Sequence, residues 1–220
     1  MLTGNLQTQA LPYLHLTDKV FQALELMNEN HVEHLPIVDG DKYVGLISES
    51  DLAQAENDHS PLDQFKQSIS NPSVRENEHV LKAIQVAVQN GLSVVPIVGE
   101  DSELVGLVSY TDLLKYSSDF MSLNDPGALI VLEMETKSYS FNEINRLIEG
   151  NDAQIKQLNT TVDPQTGLME VTIKVNKPEI SDIVSTFQRH EYNVKYYVGE
   201  ELFENELRTN YDNLMNYLKI

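Results

Sequence analysis

The chain carries one sequence pattern twice, and this repetition limits the folds open to it more than any other feature. Residues 17–38 align without a gap on residues 77–98, at a constant offset of sixty. A single extra residue in the second copy shifts the later part of the alignment by one. The aligned pairs include Val20 with Val80, Pro36 with Pro96, Gly45 with Gly106, Ser48 with Ser109 and Asp51 with Asp112. A repeat of this length predicts one structural unit built twice.

Each copy is predicted to fold as helix, strand, hairpin turn, strand and helix. Thr17 and Asn77 are suited to cap helices with apolar residues at a spacing near 3.6, and Gly91 to end the second one. The runs HLPIV and VVPIV are short and continuous, as in strands covered on both faces. Turn residues separate them from the return strands YVGLIS and LVGLVS. Because one copy of about fifty residues has a small core, we expect the two copies to cover each other's sheets about a pseudo-twofold axis.

The pattern at the end of each copy carries a family resemblance. An apolar-Pro-apolar-apolar strand, a turn and Gly-apolar-apolar-Ser-x-x-Asp-Leu occur as LPIVDGDKYVGLISESDL and VPIVGEDSELVGLVSYTDL. This pattern resembles that of cystathionine-β-synthase-type (CBS) domains, and the tandem pair resembles the Bateman module. The resemblance spans roughly residues 12–117 and implies an α/β fold with one CBS domain in 1–60 and a second in 61–122.

The Ser-x-x-Asp of each copy lies where a strand ends and a helix begins. There the serine hydroxyl and the first-turn N–H groups can face an anion, and the carboxylate can accept the paired hydroxyls of a ribose. The resemblance implies that the aspartate holds ribose, the serine approaches phosphate and adenine lies in an apolar slot beside the first strand. Carried over, it nominates as nucleotide-binding residues Ser48, Asp51, Ser109, Asp112, His34, Leu35, Val94 and Val95.

The same two residue types have a second interpretation, because serine or aspartate at such a junction is commonly a helix N-cap worth about 1 kcal/mol. Phosphate binders often place a basic residue between or beside them, whereas this chain has Glu49-Ser50 in one copy and Tyr110-Thr111 in the other. A glutamate brings negative charge toward a phosphate and a tyrosine does not. The second cleft is therefore the better candidate for AMP, ADP, ATP or another adenosine derivative.

Beyond SLNDPG the repetition stops, and residues 126–200 are predicted to fold in the order βαββαβ, which is ferredoxin-like. After a sensor-type pair, this order resembles an ACT domain, and the whole chain resembles CBS/ACT proteins of the acetoin-utilisation type. The resemblance implies amino-acid binding at a dimer interface. The loop ETKSYS lacks the glycine usual at ACT ligand sites, so packing between subunits through the sheet edge is favoured.

Residues 201–220 are predicted to form a C-terminal helix with one apolar stripe, packed on its own domain or on another chain. The stripe consists of Phe203, Leu207, Tyr211, Leu214 and Leu218.

Net charge restricts the partners. The chain has 15 basic and 34 acidic residues, which gives −19 at pH 7. Such a surface repels phosphate backbones and anionic lipids, which argues against nucleic-acid and membrane roles. Cysteine is absent, and neither a membrane-spanning run nor a signal peptide is recognisable, so a soluble cytoplasmic protein is expected.

Sequence motifs of catalysis are missing. The chain has no G-x-S-x-G, Walker-type or G-x-G-x-x-G motif. His31 and His34 bracket Glu33, but the predicted change from helix to strand between them spoils the geometry of a metal site. We therefore predict a non-catalytic, homodimeric regulatory protein, in which an adenosine ligand biases the C-terminal domain or a regulated protein target. The alternative is a ligand-free dimeric interaction scaffold with side chains filling both clefts.

Overall fold

The computed structural model describes residues 1–6 and 12–199, and the chain divides into two compact units. The first unit ends at Ser117 and the second begins at Ser118. The C-terminal helix predicted at 201–220 lies outside the described residues. No helix within 1–6 and 12–199 has the length and apolar character needed to cross a bilayer.

Both copies of the repeat form the predicted helices and hairpins. The first copy contains α1 (Val20–Asn30), β1 (His34–Asp39), β2 (Lys42–Ser48) and the short α2 (Glu49–Leu52). The second copy contains β3 (Val74–Arg75), α3 (Val80–Asn90), β4 (Val94–Val98), β5 (Leu104–Ser109) and α4 (Tyr110–Phe120). Each hairpin is antiparallel. In the first copy β1 also pairs in parallel with Leu14, which precedes α1, and in the second copy β4 pairs in parallel with Val74, which precedes α3.

The helix caps differ from the prediction. Thr17 and Asn77 lie outside the helices, and the N-cap residues are Lys19 and His79. The backbone of both caps is extended and forms a β-bridge, from Lys19 to Pro61 and from His79 to Leu2, so each helix begins only after its bridge. The predicted end of α3 is confirmed, because Gly91 adopts the left-handed conformation there.

These bridges belong to two straps that cross between the copies. We call residues 1–6 the N-terminal strap and residues 61–65 the linker strap. The N-terminal strap precedes the first copy but lies on the second, where the Thr3 N–H donates to the Glu78 carbonyl at 2.8 Å. The linker strap precedes the second copy but lies on the first, where the Leu62 N–H donates to the Asp18 carbonyl at 2.9 Å. Each copy is therefore completed by residues that lead into the other.

The two copies share one hydrophobic core, as the small size of each predicts. Buried side chains from both hairpins and from α1 and α3 form a single cluster. Main-chain contacts also join the copies, since the Tyr43 N–H donates to the Ser102 carbonyl and the Leu104 N–H to the Asp41 carbonyl, both at 2.9 Å. The hairpin turns of the two copies thus meet at one end of the first unit.

The second unit confirms the βαββαβ order. Its elements are β6 (Ala128–Met134), α5 (Phe141–Glu149), β7 (Ile155–Val162), β8 (Met169–Val175), α6 (Ser181–Arg189) and β9 (Asn193–Val198). The strands form one antiparallel sheet in the order β7-β8-β6-β9, which is ferredoxin-like. Phe187 from α6 is fully buried in the core between helices and sheet.

Candidate functional site

The two Ser-x-x-Asp motifs lie where β2 meets α2 and where β5 meets α4, and we call them the first junction (48–51) and the second junction (109–112). At the first, the Asp51 N–H donates to Ser48 Oγ at 3.1 Å, and the Ser48 hydroxyl donates to Asp51 Oδ2. At the second, the Asp112 N–H donates to Ser109 Oγ at 3.1 Å, and the Ser109 hydroxyl donates to Asp112 Oδ2 at 2.7 Å. Both junctions therefore show the N-cap geometry that the sequence offered as the second interpretation.

The second junction includes a positively charged side chain, Lys115, that the sequence analysis did not nominate. The ammonium of Lys115 lies 3.0 Å from Asp112 Oδ1, one helical turn along α4, and the Lys115 side chain is 67% exposed. Burial of Asp112 raises its pKa, but the hydrogen bonds from Ser109 and Lys115 outweigh burial and hold the pKa below its usual range. The signal in the sequence was a basic residue three positions after the aspartate, where the first copy has Gln54.

A cleft opens beside each junction. The first has a volume of about 270 Å³, and its lining residues are Glu33, His34, Ser48, Glu49, Ser50 and Ala53. The second has a volume of about 620 Å³ and lies between the second junction and the C-terminal ends of α1 and α3. Its lining residues include Ser109, Tyr110, Thr111, Glu33, Val88 and Ser93.

The structure brings only some of the nominated residues to these clefts. His34 and Ser48 line the first, and Ser109 lines the second. Asp51 and Asp112 are not among the lining residues, and their carboxylates accept the hydroxyls of the cap residues Ser48 and Ser109. The three apolar nominees are fully buried and belong to the shared core rather than to a cleft wall: Leu35, Val94 and Val95.

The two copies are hydrogen-bonded to each other between the clefts. Ser93 Oγ accepts the Glu33 N–H at 2.9 Å, and His34 Nδ1 accepts the Ser93 N–H at 3.3 Å. Ser93 lines the second cleft and His34 the first. Hydrogen bonds between Ser93 and His34 therefore connect the linings of the two clefts directly.

His34 makes this contact sensitive to pH. Burial lowers the pKa of His34 below 6.5, although the carboxylates of Glu33 and Asp51 raise it. As the pH falls below 6.5, His34 takes up a proton in the unfolded chain but stays neutral in the folded chain. The contribution of His34 to stability is therefore lost as the pH falls from 6.5 to the lower pKa of the folded state.

We expect the free energy of unfolding to decrease less between about pH 7.5 and pH 5.5 in His34→Gln than in the unsubstituted chain. Urea unfolding at several pH values within this window measures the difference. His59→Gln is the matched control, because His59 is exposed and lies outside both clefts. An unchanged pH dependence in His34→Gln would show that the contact with Ser93 does not depend on the neutral ring.

Within residues 1–6 and 12–199 no group of three or more His, Asp or Glu side chains is arranged to hold a metal ion. The sequence His31-x-x-His34 spans the end of α1 and the start of β1, as expected.

The fold of the first unit agrees with comparisons to known proteins. Residues 4–58 and 68–119 each match the family model for the CBS domain. Protein MJ1232 of Methanocaldococcus jannaschii is 28% identical over 99 residues, which cover 44% of this chain and 33% of that protein. The inosine-5'-monophosphate dehydrogenase of the same organism is 25% identical over 135 residues, covering 60% of this chain and 27% of the enzyme. The chain thus spans a third or less of the length of these curated relatives.

A solved structure supports the same assignment of fold. The CBS domain pair/ACT domain protein of Thermotoga maritima has a TM-score of 0.50 and 21% identity, over 55% of this chain and 99% of the solved chain. Together with the two matched segments, this likeness gives the first unit a tandem CBS fold, which confirms the prediction from the repeat.

Proposed function

We propose that the chain is a non-catalytic regulatory protein that binds an adenosine-containing nucleotide at the second junction. The observation that carries the proposal is a cleft of about 620 Å³, lined by Ser109 of the second junction, beside an eleven-residue helix whose first two turns carry an ionised aspartate and a lysine. The N-terminal end of such a helix favours a phosphate, and the volume lies within the roughly 300–1,000 Å³ of small-molecule sites.

The hydrogen bonds of Asp112 leave room for a ribose. Its Oδ2 accepts one donor from Ser109 and its Oδ1 one donor from Lys115. Each carboxylate oxygen has two acceptor positions, so each keeps one for a ribose hydroxyl. Because Asp112 is only 8% exposed, the ligand reaches it when the exposed Lys115 ammonium turns away from the carboxylate toward the phosphate. Lys115 thereby supplies the positive charge that the residues between Ser109 and Asp112 lack.

A bound nucleotide would act on the whole tandem pair because both copies line the second cleft. Glu33 comes from the first copy and Ser109 from the second, and the His34–Ser93 contact lies beside them. The ligand then favours one arrangement of the pair by its difference in affinity for the two states. The βαββαβ unit, as an ACT-like domain in a homodimer, or a regulated protein target receives this change. The name of the Thermotoga protein joins a CBS domain pair to an ACT domain, which is the arrangement that we propose for this chain.

The competing proposal is a ligand-free dimeric interaction scaffold. One observation favours it: the carboxylates of Asp51 and Asp112 already accept the hydroxyl of their own cap serine, Ser48 or Ser109. In this case the clefts have only a structural role, and no nucleotide changes the stability of the chain.

Thermal unfolding with AMP, ADP, ATP, S-adenosylmethionine and a diadenosine polyphosphate separates the two proposals. We expect at least one ligand to raise the melting temperature, since a ligand at a hundred times its dissociation constant adds about 2.7 kcal/mol. Asp112→Ala should weaken the binding of that ligand by about tenfold or more, because the ribose loses its acceptor. Calorimetric titration measures the affinity.

Asp51→Ala is the matched control, because it removes the corresponding carboxylate of the first junction, which accepts the Ser48 hydroxyl as Asp112 accepts that of Ser109. It should lose a similar stability, on the order of 1 kcal/mol for one hydrogen bond, and keep the affinity. Each variant is compared with its own ligand-free melting temperature. A chain that responds to none of the five ligands is the scaffold, and equal loss of affinity in both variants would move the site away from the second junction.

A further inference from the structure

A different cleft lies at the end of the first unit where the two hairpin turns meet, and we call it the hairpin cleft. It has a volume of about 440 Å³, and its lining combines one basic and two acidic side chains with several neutral polar ones. The lining residues that matter are Tyr43, Ser73, Arg75, Glu78, Glu100 and Ser102. We propose that the hairpin cleft binds a small zwitterion of the α-amino-acid type, its carboxylate on Arg75 and its ammonium between Glu78 and Glu100.

Arg75 has a fixed backbone and an unpaired side chain. Its N–H donates to Glu78 Oε2 at 2.7 Å, and its carbonyl accepts the Thr3 hydroxyl and the Glu78 N–H. Within residues 1–6 and 12–199 its guanidinium has no hydrogen bond and no ion pair. A planar guanidinium is suited to hold a carboxylate through two parallel hydrogen bonds.

The acidic residues determine which class of anion fits. Glu78 and Glu100 line the same cleft, and neither forms an ion pair in the described part of the chain. Two carboxylates against one guanidinium repel a purely anionic ligand such as phosphate. A ligand that carries an ammonium next to its carboxylate satisfies all three charges. This charge pattern therefore favours a zwitterion over a simple anion.

The floor of the hairpin cleft is preformed. Tyr43 is 7% exposed, and its hydroxyl donates to the Pro72 carbonyl at 2.9 Å. Burial raises the pKa of Tyr43, so the ring stays neutral. Val74 and Val98 are buried beside it and pair across β3 and β4 with their neighbours. A ligand of few atoms thus meets a rigid wall and loses little affinity to rearrangement.

The repeat supplies an internal comparison. A related cleft has a volume of about 330 Å³, and three of its lining residues align with lining residues of the hairpin cleft. The aligned pairs are Tyr13 with Ser73, Gly40 with Glu100 and Leu104 with Tyr43. No arginine lines this related cleft, and none lines either of the junction clefts. The three-charge arrangement therefore does not follow from hairpin packing alone but from side chains present in one copy.

Calorimetric titration of the full chain with each of the twenty L-α-amino acids, at up to about 1 mM, tests the proposal. We expect at least one of them to bind, while its N-acetyl form and its decarboxylated amine, each lacking one charge, do not. Arg75→Gln should weaken the binding of that amino acid by about tenfold or more, and Glu100→Gln should also weaken its binding. Asp41 also lines the related cleft, and Asp41→Asn should leave the affinity unchanged.

Two further variants keep the outcomes distinct. Asp112→Ala should bind the amino acid normally, which separates the hairpin cleft from the nucleotide site. Arg75→Lys keeps the charge but not the paired hydrogen bonds, so its weaker binding checks the geometry even if Arg75→Gln is less stable. Binding of none of the twenty amino acids, unchanged binding in Arg75→Gln and Glu100→Gln, or binding of inorganic phosphate instead would each overturn the proposal.

Discussion

Leu35→Ala is expected to lower the free energy of unfolding of the first unit by about 2–5 kcal/mol. Leu35 is 0% exposed and lies in β1 opposite Ile47, inside the core that both copies share. Truncation removes apolar contacts and leaves a cavity that the surrounding β-sheet cannot close. Urea unfolding followed by circular dichroism measures the loss.

This substitution also decides between two roles for Leu35. As a core residue, its loss reduces stability and leaves the nucleotide affinity of the folded chain unchanged. As a wall of an adenine slot, its loss reduces affinity and has little effect on stability. Leu114→Ala is the control, because Leu114 is 53% exposed on α4 and its loss should cost less than about 0.5 kcal/mol.

Gly45→Ala is expected to destabilise the first unit by about 1–3 kcal/mol. A Cβ at Gly45 would lie 2.4 Å from Ser70 O and 2.4 Å from Ile69 Cγ2. The Ser70 carbonyl cannot retreat easily, since it accepts the Leu46 N–H at 2.7 Å and the Ser70 N–H returns a bond at 3.1 Å. Hydrogen exchange at the Leu46 and Ser70 amides should accelerate together with the loss of stability.

Gly40→Ala separates steric overlap from backbone strain. Gly40 has φ of +61°, but a Cβ there would meet nothing within 4 Å. Its cost should stay near the 1–2 kcal/mol of a left-handed residue, without faster exchange at Ser70. If both alanine variants accelerate exchange at Ser70 equally, the close approach of Ile69 and Ser70 is not the reason for the glycine at position 45.

The hairpins could be predicted from sequence because their signals are local. In both copies a turn segment separates two apolar runs, and the second copy repeats the spacing with one added residue. The serine of each junction was predictable as a cap for the same reason, since its Oγ and the aspartate N–H that donates to it lie three residues apart. The βαββαβ order of the second unit likewise follows from alternation and turn residues.

The features that the sequence did not reveal depend on contacts between distant segments. The starts of α1 and α3 are determined by bridges to Pro61 and Leu2, which no local pattern encodes. Whether Leu35 faces a cleft or the core depends on how the second copy packs against it. The contact of His34 with Ser93 joins residues 59 positions apart. Sequence reasoning therefore placed the junction correctly but could not determine its surroundings.

The crossed straps make the tandem pair one cooperative body. Residues 1–6 hold the start of α3, and residues 61–65 hold the start of α1, so neither copy keeps its helix anchored when the other unfolds. A rotation of one copy against the other must disturb the Leu2–His79 bridge and the Lys19–Pro61 bridge together. The interlocked ends thereby restrict the pair to a few shared arrangements, so that a rearrangement of one copy must also move the other.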